Sequence, residues 1–297
     1  MPRGTFCISI DVEGAWGTWD RPSAEEHRRC AEMEERSVRE LVSRLDRAEI
    51  PATWAIVGRL LERDDRAVAS TSFGEGIWYA PGLIEVIRRT RTPQDIGSHG
   101  YAHRYFGRLS RDEARLEIAR ARSVHDRHGL PFKAFVFPRN EIGHLDELRA
   151  AGVEVFRGGD RGWHAWVRNR VGRTAGRIAN LADKVFPLRP AVVHTVDHGG
   201  LVELPSSMLF LGRSGLRRAV HPHITVIKAR RGLEAARRSG GTFHLWFHPS
   251  NFYDDGVRQL EALSSVLATA TAMRSRGEID IRPMSDHACR RASASAC

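Results

Sequence analysis

Cysteine is scarce: the 297 residues contain four, Cys7, Cys30, Cys289 and Cys297, with no CxxC spacing among them. That excludes a disulfide framework and a thiolate zinc site, and leaves them as packing or surface residues. Long apolar runs are missing as well, none approaching the roughly 20 residues that a membrane helix needs. No apolar targeting stretch precedes the first strand-like segment, Thr5-Phe6-Cys7-Ile8-Ser9-Ile10, so the expected compartment is the cytoplasm. Repeats and low-complexity linkers are also lacking. With 41% hydrophobic and 28% charged residues, the chain reads as globular and not collagenous, coiled-coil or disordered.

Acidic residues are few where basic ones gather. Residues 161–190 hold seven basic side chains and one acidic, and residues 211–240 hold eight and one. These windows together carry +13 in a chain whose total is +10, so the remainder is net −3. Such a surface suits an anionic partner, either acidic lipid headgroups at the inner membrane face or a diphosphate on a substrate. A merely solvated basic face is the alternative. No nucleic-acid-binding module accompanies the arginines, so nucleic acid is not expected as a partner.

Apolar β-rich runs alternate with helical segments, the pattern of a parallel α/β fold. Strands are expected at 5–11, 52–57, 95–97, 133–137, 153–156, 201–204, 242–247 and 279–281. Capping boxes at Ser23-Ala24-Glu25-Glu26 and Ser110-Arg111-Asp112-Glu113 open helices. Further helices are expected over 142–151, 222–238 and 255–276, a loop over 64–80, and Pro81 in a first helical turn. The periodicity breaks over 158–200, read as a basic excursion with an amphipathic helix around 165–185. About seven strands with intervening helices favour a barrel-like single domain over an open sheet.

Four segments could carry chemistry. In Ile8-Ser9-Ile10-Asp11-Val12-Glu13-Gly14 an apolar strand ends in two carboxylates on one face; alone, this also reads as the start of a solvated loop. Gly97-Ser98-His99-Gly100-Tyr101-Ala102-His103 sets two imidazoles four residues apart, which on one helical turn would share a face and suit a divalent metal. In Thr242-Phe243-His244-Leu245-Trp246-Phe247-His248-Pro249 alternation puts His244, Trp246 and His248 on one face, and His248 could serve as a general acid. Phe137-Pro138-Arg139-Asn140 delivers Arg139 either to pair with Asp11 or to clamp an anionic group. His221-Pro222-His223 is a competing metal candidate without a carboxylate.

Taken in this order, these elements resemble the polysaccharide deacetylase family, the NodB-homology domain or carbohydrate esterase family 4. The resemblance rests on Asp11-Val12-Glu13, Pro51-Ala52-Thr53-Trp54-Ala55-Ile56-Val57-Gly58, the His-box from Asp95 to His103, and Leu245-Trp246-Phe247-His248. It implies a deformed (β/α) barrel and a divalent metal, most naturally zinc, that helps hydrolyse the N-acetyl group of an amino sugar in a polymer, oligosaccharide or lipid- or nucleotide-linked precursor. Carried over, Asp11 resembles the catalytic base, His99 and His103 the metal ligands, Glu13 the acidic ligand and His248 the catalytic acid. Pro138, Asn140 and Trp246 would contact substrate. The chain departs from the family pattern twice. Its acids stand two apart instead of adjacent, so Asp11 and Glu13 could exchange roles. Val136 occupies the place of the arginine that steadies the base, so Arg139 is expected to substitute. Other readings are a metal-independent amidase of the same fold acting on a cyclic ureide or imide, and a non-catalytic carbohydrate- or anion-binding protein.

Overall fold

The computed structural model describes residues 3–20, 23–62, 78–80, 82–160 and 188–288, with isolated positions between 170 and 186. Pro81, most of the expected loop over 64–80 and most of the expected helix over 165–185 lie outside the described residues.

Strand β1 (Gly4–Val12) is buried along its whole length, as a strand covered on both faces must be. It runs parallel between β2 (Thr53–Ile56) and β9 (Thr242–Phe247). From β2 the sheet continues in parallel through β3 (Asp95–Ser98), β4 (Ala134–Val136), β5 (Val155–Asp160) and β7 (Val202–Ser206). One residue after β7 the chain enters β8 (Met208–Leu209), which pairs in parallel with β9. Segment 202–209 thus touches both sides of the sheet and curls it into a deformed barrel. With β7 and β8 forming one stave, the barrel has seven staves, as the alternation predicts. Two short strands are additions: β6 (Val196–Asp197), antiparallel on β7, and β10 (Ile279–Ile281), on the first residues of β1.

Around the barrel pack α1 (Ala24–Arg47), α2 (Leu83–Arg88), α3 (Arg111–Arg127), α4 (Leu145–Ala150), α5 (Pro222–Ser239) and α6 (Gly256–Ser275). Helix α3 opens with both hydrogen bonds of the expected capping box at Ser110 and Glu113. Helix α4 starts later than expected because His144, its N-cap, is left-handed at φ 55° and breaks the preceding turn. The period of two along β1 divides the interior. Phe6, Ile8, Ile10 and Val12 face the helices, whereas Cys7 joins Ala55, Ala134, Val155, Val202 and Met284 in an apolar barrel floor. Gly4 lets the last turn of α5 press against the start of β1; a Cβ there would lie 2.3 Å from the Ala236 carbonyl oxygen. Cys7 and Cys30 are free thiols, one buried and one half-buried.

Candidate metal centre and active site

Going up the barrel from its apolar floor, the inward positions of β1 turn polar: Ser9, then Asp11, then Glu13. Ser9 Oγ lies 2.9 Å from His244 Nε2, and His244 Nδ1 lies 3.1 Å from the Pro205 carbonyl oxygen. The carbonyl can only accept, so Nδ1 carries the proton and Nε2 accepts from the Ser9 hydroxyl. Burial, reinforced by the neighbouring Arg157 charge, pushes the His244 pKa down to about 3, so the ring is neutral.

Above it, Arg157 reaches in from β5 and is 1% exposed. Its two terminal nitrogens donate to the two Asp11 carboxylate oxygens, each at 2.6 Å, in a bidentate pair. The same nitrogens reach Ser9 Oγ and Asn140 Oδ1, both at 3.1 Å, and the guanidinium lies 4.3 Å from the Trp246 ring centroid. Burial alone would raise the Asp11 pKa, but the charges of Arg157, His99 and His248 hold it below its ordinary value.

Arg139 therefore does not pair with Asp11, contrary to expectation. The inward position of β4 is Val136, and the following turn carries Arg139, at φ 56°, over the barrel rim. There it donates to the Gly17 carbonyl at 2.9 Å and to Asp20 at 3.3 Å. The missed residue, Arg157, shares the inward period of Val155, and an arginine on the inner face of a buried strand calls for a buried carboxylate.

Glu13 Oε1 lies 3.1 Å from both His99 Nε2 and His103 Nε2, and 3.3 Å from His248 Nε2. A Cβ at Gly17 would stand 2.1 Å from Glu13 Oε2, so glycine there leaves room for the carboxylate. Behind it, Glu34 of α1 accepts from the backbone N–H groups of Glu13 (3.1 Å) and Gly14 (3.2 Å) and from the Tyr253 hydroxyl (2.6 Å). Tyr253 closely follows His248, so Glu34 ties the two loops of the site together. Burial opposes ionisation of Glu13, yet His248 and His103 hold its pKa well below the usual carboxylate value. The same pairing raises His248: burial acts downward, but Glu13 and then Asp11 lift it to about 9.

The expected helical turn at the His-box is instead a loop, with Gly100 at φ 76° and His103 at φ 54°. Glu117 of α3 holds it by accepting from Tyr101 N at 3.0 Å and Ala102 N at 2.6 Å. The two imidazoles still converge, their centroids 5.0 Å apart. His99 Nδ1 donates to the Val136 carbonyl at 2.8 Å, which fixes the tautomer and turns the Nε2 lone pair toward Glu13.

Two groupings could hold a cation: Glu13, His99 and His103, and Asp11, Glu13 and His248. The first fits a divalent metal better. It offers one carboxylate and two imidazole lone pairs on one side, the donor set of open catalytic sites, whereas both Asp11 oxygens are engaged by Arg157. His221 and His223 stand 6.5 Å apart at the start of α5 and belong to no such grouping among the described residues.

Of the expected substrate contacts, Pro138 is buried, Asn140 supports Arg157, and Trp246 lies beneath the Arg157 guanidinium, its ring 5.6 Å from that of His248. Sequence reasoning passed over Trp19. It is 44% exposed, its indole N–H donates to the His103 carbonyl at 3.2 Å, and its ring centroid lies 6.1 Å from that of Tyr105.

Residues 22–154 match the family model described as polysaccharide deacetylase. No curated protein matches the chain. Among solved structures, a Mycobacterium smegmatis protein described as a polysaccharide deacetylase superposes with a TM-score of 0.68 at 19% identity, covering 99% of this chain and 92% of that one. A Pseudomonas aeruginosa PAO1 protein of the same description gives 0.62 at 11% identity, covering 96% and 89%. The PuuE allantoinase also gives 0.62, at 10% identity, covering 96% and 88%. Family match and superpositions bear out the resemblance drawn from the motifs and the barrel fold. Equal scores for the Pseudomonas protein and the allantoinase leave the reaction to be argued from the residues.

Proposed function

From a chain with the polysaccharide deacetylase fold, we infer metal-dependent hydrolysis of the N-acetyl group of an amino sugar, carried by a polymer, an oligosaccharide or a lipid- or nucleotide-linked precursor. One observation carries the reading: Glu13 Oε1 stands 3.1 Å from both His99 Nε2 and His103 Nε2, while Asp11 beside it is held by Arg157. On this reading Glu13 serves the metal and Asp11 the proton.

His99, His103 and Glu13 would hold the ion, which when bound supplies Lewis acidity and lowers the pKa of water. Zinc suits two imidazoles and a carboxylate. Asp11, kept ionised by Arg157, accepts the proton of the attacking water. His248, its Nε2 3.3 Å from Glu13 Oε1 and 3.7 Å from Asp11 Oδ2, delivers a proton to the departing nitrogen. Water adds to the carbonyl carbon, the carbon–nitrogen bond breaks, and acetate and a free amine leave. Trp19 and Arg139 stand on the rim, where an extended substrate would pass.

Acetate release from N-acetylglucosamine oligomers and nucleotide-linked N-acetyl sugars, after loading with zinc or cobalt, tests the reading. It predicts release by the wild type and none by His99→Ala. A loaded wild type that releases no acetate from either substrate class would overturn it.

A further inference from the structure

The two arginine-rich windows are separate in sequence, but two described residues of the first, Asp183 and Arg189, lie against the helix of the second. Lys228, buried on α5, pairs with Asp183 at 2.6 Å, which ties that residue to the helix. Arg189 of the first window lines one groove of about 630 Å³ with Arg230, Arg231 and Arg238 of the second. Among the described residues that line the groove the one acid, Glu234, is already taken up by Arg237 at 2.6 Å and Arg238 at 2.7 Å. Arg230 meets hydroxyls, Thr269 Oγ1 at 3.2 Å and Ser265 Oγ at 3.1 Å, which orient the guanidinium without neutralising it. Exposed Arg217 continues the positive charge past the start of α5, beside Arg218, which pairs with Asp254 at 3.3 Å. Helix α5 carries five basic residues and one acid, against six basic and seven acidic residues on α1, so its outer face is strongly positive.

The groove lies away from the metal centre. Arg230 and Arg231 stand at the middle of α5 and Arg238 in its last turn, which packs on Gly4 at the start of β1, while Glu13 follows the far end of that strand. Nine residues of strand separate the two ends by about 30 Å. A diphosphate attached to a sugar reacting beyond the far end of the strand does not reach the outer face of α5, so the groove is no subsite of the reaction. Its chemistry is a row of exposed guanidinium forks, which match phosphate oxygens in pairs. A planar array of phosphates complements a one-sided surface better than a single small anion does.

We propose that the outer face of α5 docks the chain on an anionic phospholipid surface, with Arg230, Arg231 and Arg238 bound to headgroup phosphates. This stands apart from the deacetylase reading and can fail without it.

Flotation of the full chain with phosphatidylglycerol–phosphatidylcholine vesicles tests the assignment. Binding is expected at low salt, with loss in high salt and no binding to phosphatidylcholine alone. The triple variant Arg230→Glu, Arg231→Glu, Arg238→Glu should bind about a hundredfold more weakly, since each basic residue strengthens attachment to an acidic leaflet severalfold. Reversal of Arg39, Arg115 and Arg122 on α1 and α3 should leave binding intact, and circular dichroism should show both triple variants folded. Wild type that stays with the unfloated fraction, or equal losses in the two triple variants, overturns the proposal. So does binding of inorganic pyrophosphate or duplex DNA as tight as that of the vesicles, which would make the face a site for a soluble anion or for nucleic acid.

Discussion

The mouth of the barrel and the outer face of α5 both concentrate charge, in opposite ways. At the mouth, opposite charges are buried and interlocked: Arg157 is bound to both oxygens of Asp11, and Glu13 stands against three imidazoles. On α5 one sign prevails, the side chains are exposed, and the main acid is satisfied by two neighbours. Burial makes the first arrangement strong, geometrically exact in its demands and intolerant of change. Exposure makes the second weak per residue, additive and sensitive to salt. The first can hold a metal and move a proton, while the second can only attract.

Substitutions that remove chemistry from the mouth should break this contrast most visibly. His248→Ala should lower acetate release by about a hundredfold to ten-thousandfold, the usual contribution of a positioned general acid, with metal content unchanged. Arg157→Met leaves Asp11 buried without its partner and should cost about 3–5 kcal/mol in denaturant unfolding. Arg157→Lys should rescue little of that, because an ammonium cannot make the bidentate pair.

His244 gives a pH test at the same end. Its folded pKa, about 3, lies below the ordinary 6.5, so on acidification the unfolded chain takes up this proton first. The stability that depends on a neutral His244 is complete above about pH 6.5 and falls by up to about 1.4 kcal/mol per unit as the pH drops toward 3. Chemical denaturation at several pH values should show this slope in the wild type and a shallower one in His244→Gln. Glu34→Gln should sharpen the comparison further, weakening metal binding about tenfold in a chelator competition because the Glu13 backbone loses part of its anchor. The smallest effect belongs to α5: each exposed arginine reversal should change unfolding free energy by less than about 0.5 kcal/mol, however large its effect on vesicle binding.

The sequence revealed the staves of the barrel because each is an apolar run punctuated by turns, and it revealed the inward set of β1 because alternation reads directly as a face. It hid β6 and β8, since two-residue strands have no period. It also pointed to Arg139 instead of Arg157. Motif position names an arginine near the base, but which guanidinium reaches Asp11 depends on the left-handed turn at Arg139 and on the inward phase of β5, and both are tertiary facts. The spacing of His99 and His103 pointed to a shared face and was right about their convergence, though a glycine-containing loop held by Glu117 achieves it where a helical turn was expected. Glu34 and Trp19 carry no motif at all. Their places are set by contacts 20 and 84 residues away in sequence.

The division of labour between the two acids of the first strand is the central claim, and metal content measured alongside acetate release in Asp11→Asn and Glu13→Gln tests it most directly. Asp11→Asn should keep about one metal ion per chain, as a single-ion site requires, and release no acetate. Glu13→Gln should lose both. Metal lost in Asp11→Asn and retained in Glu13→Gln would contradict the assignment and exchange the two roles.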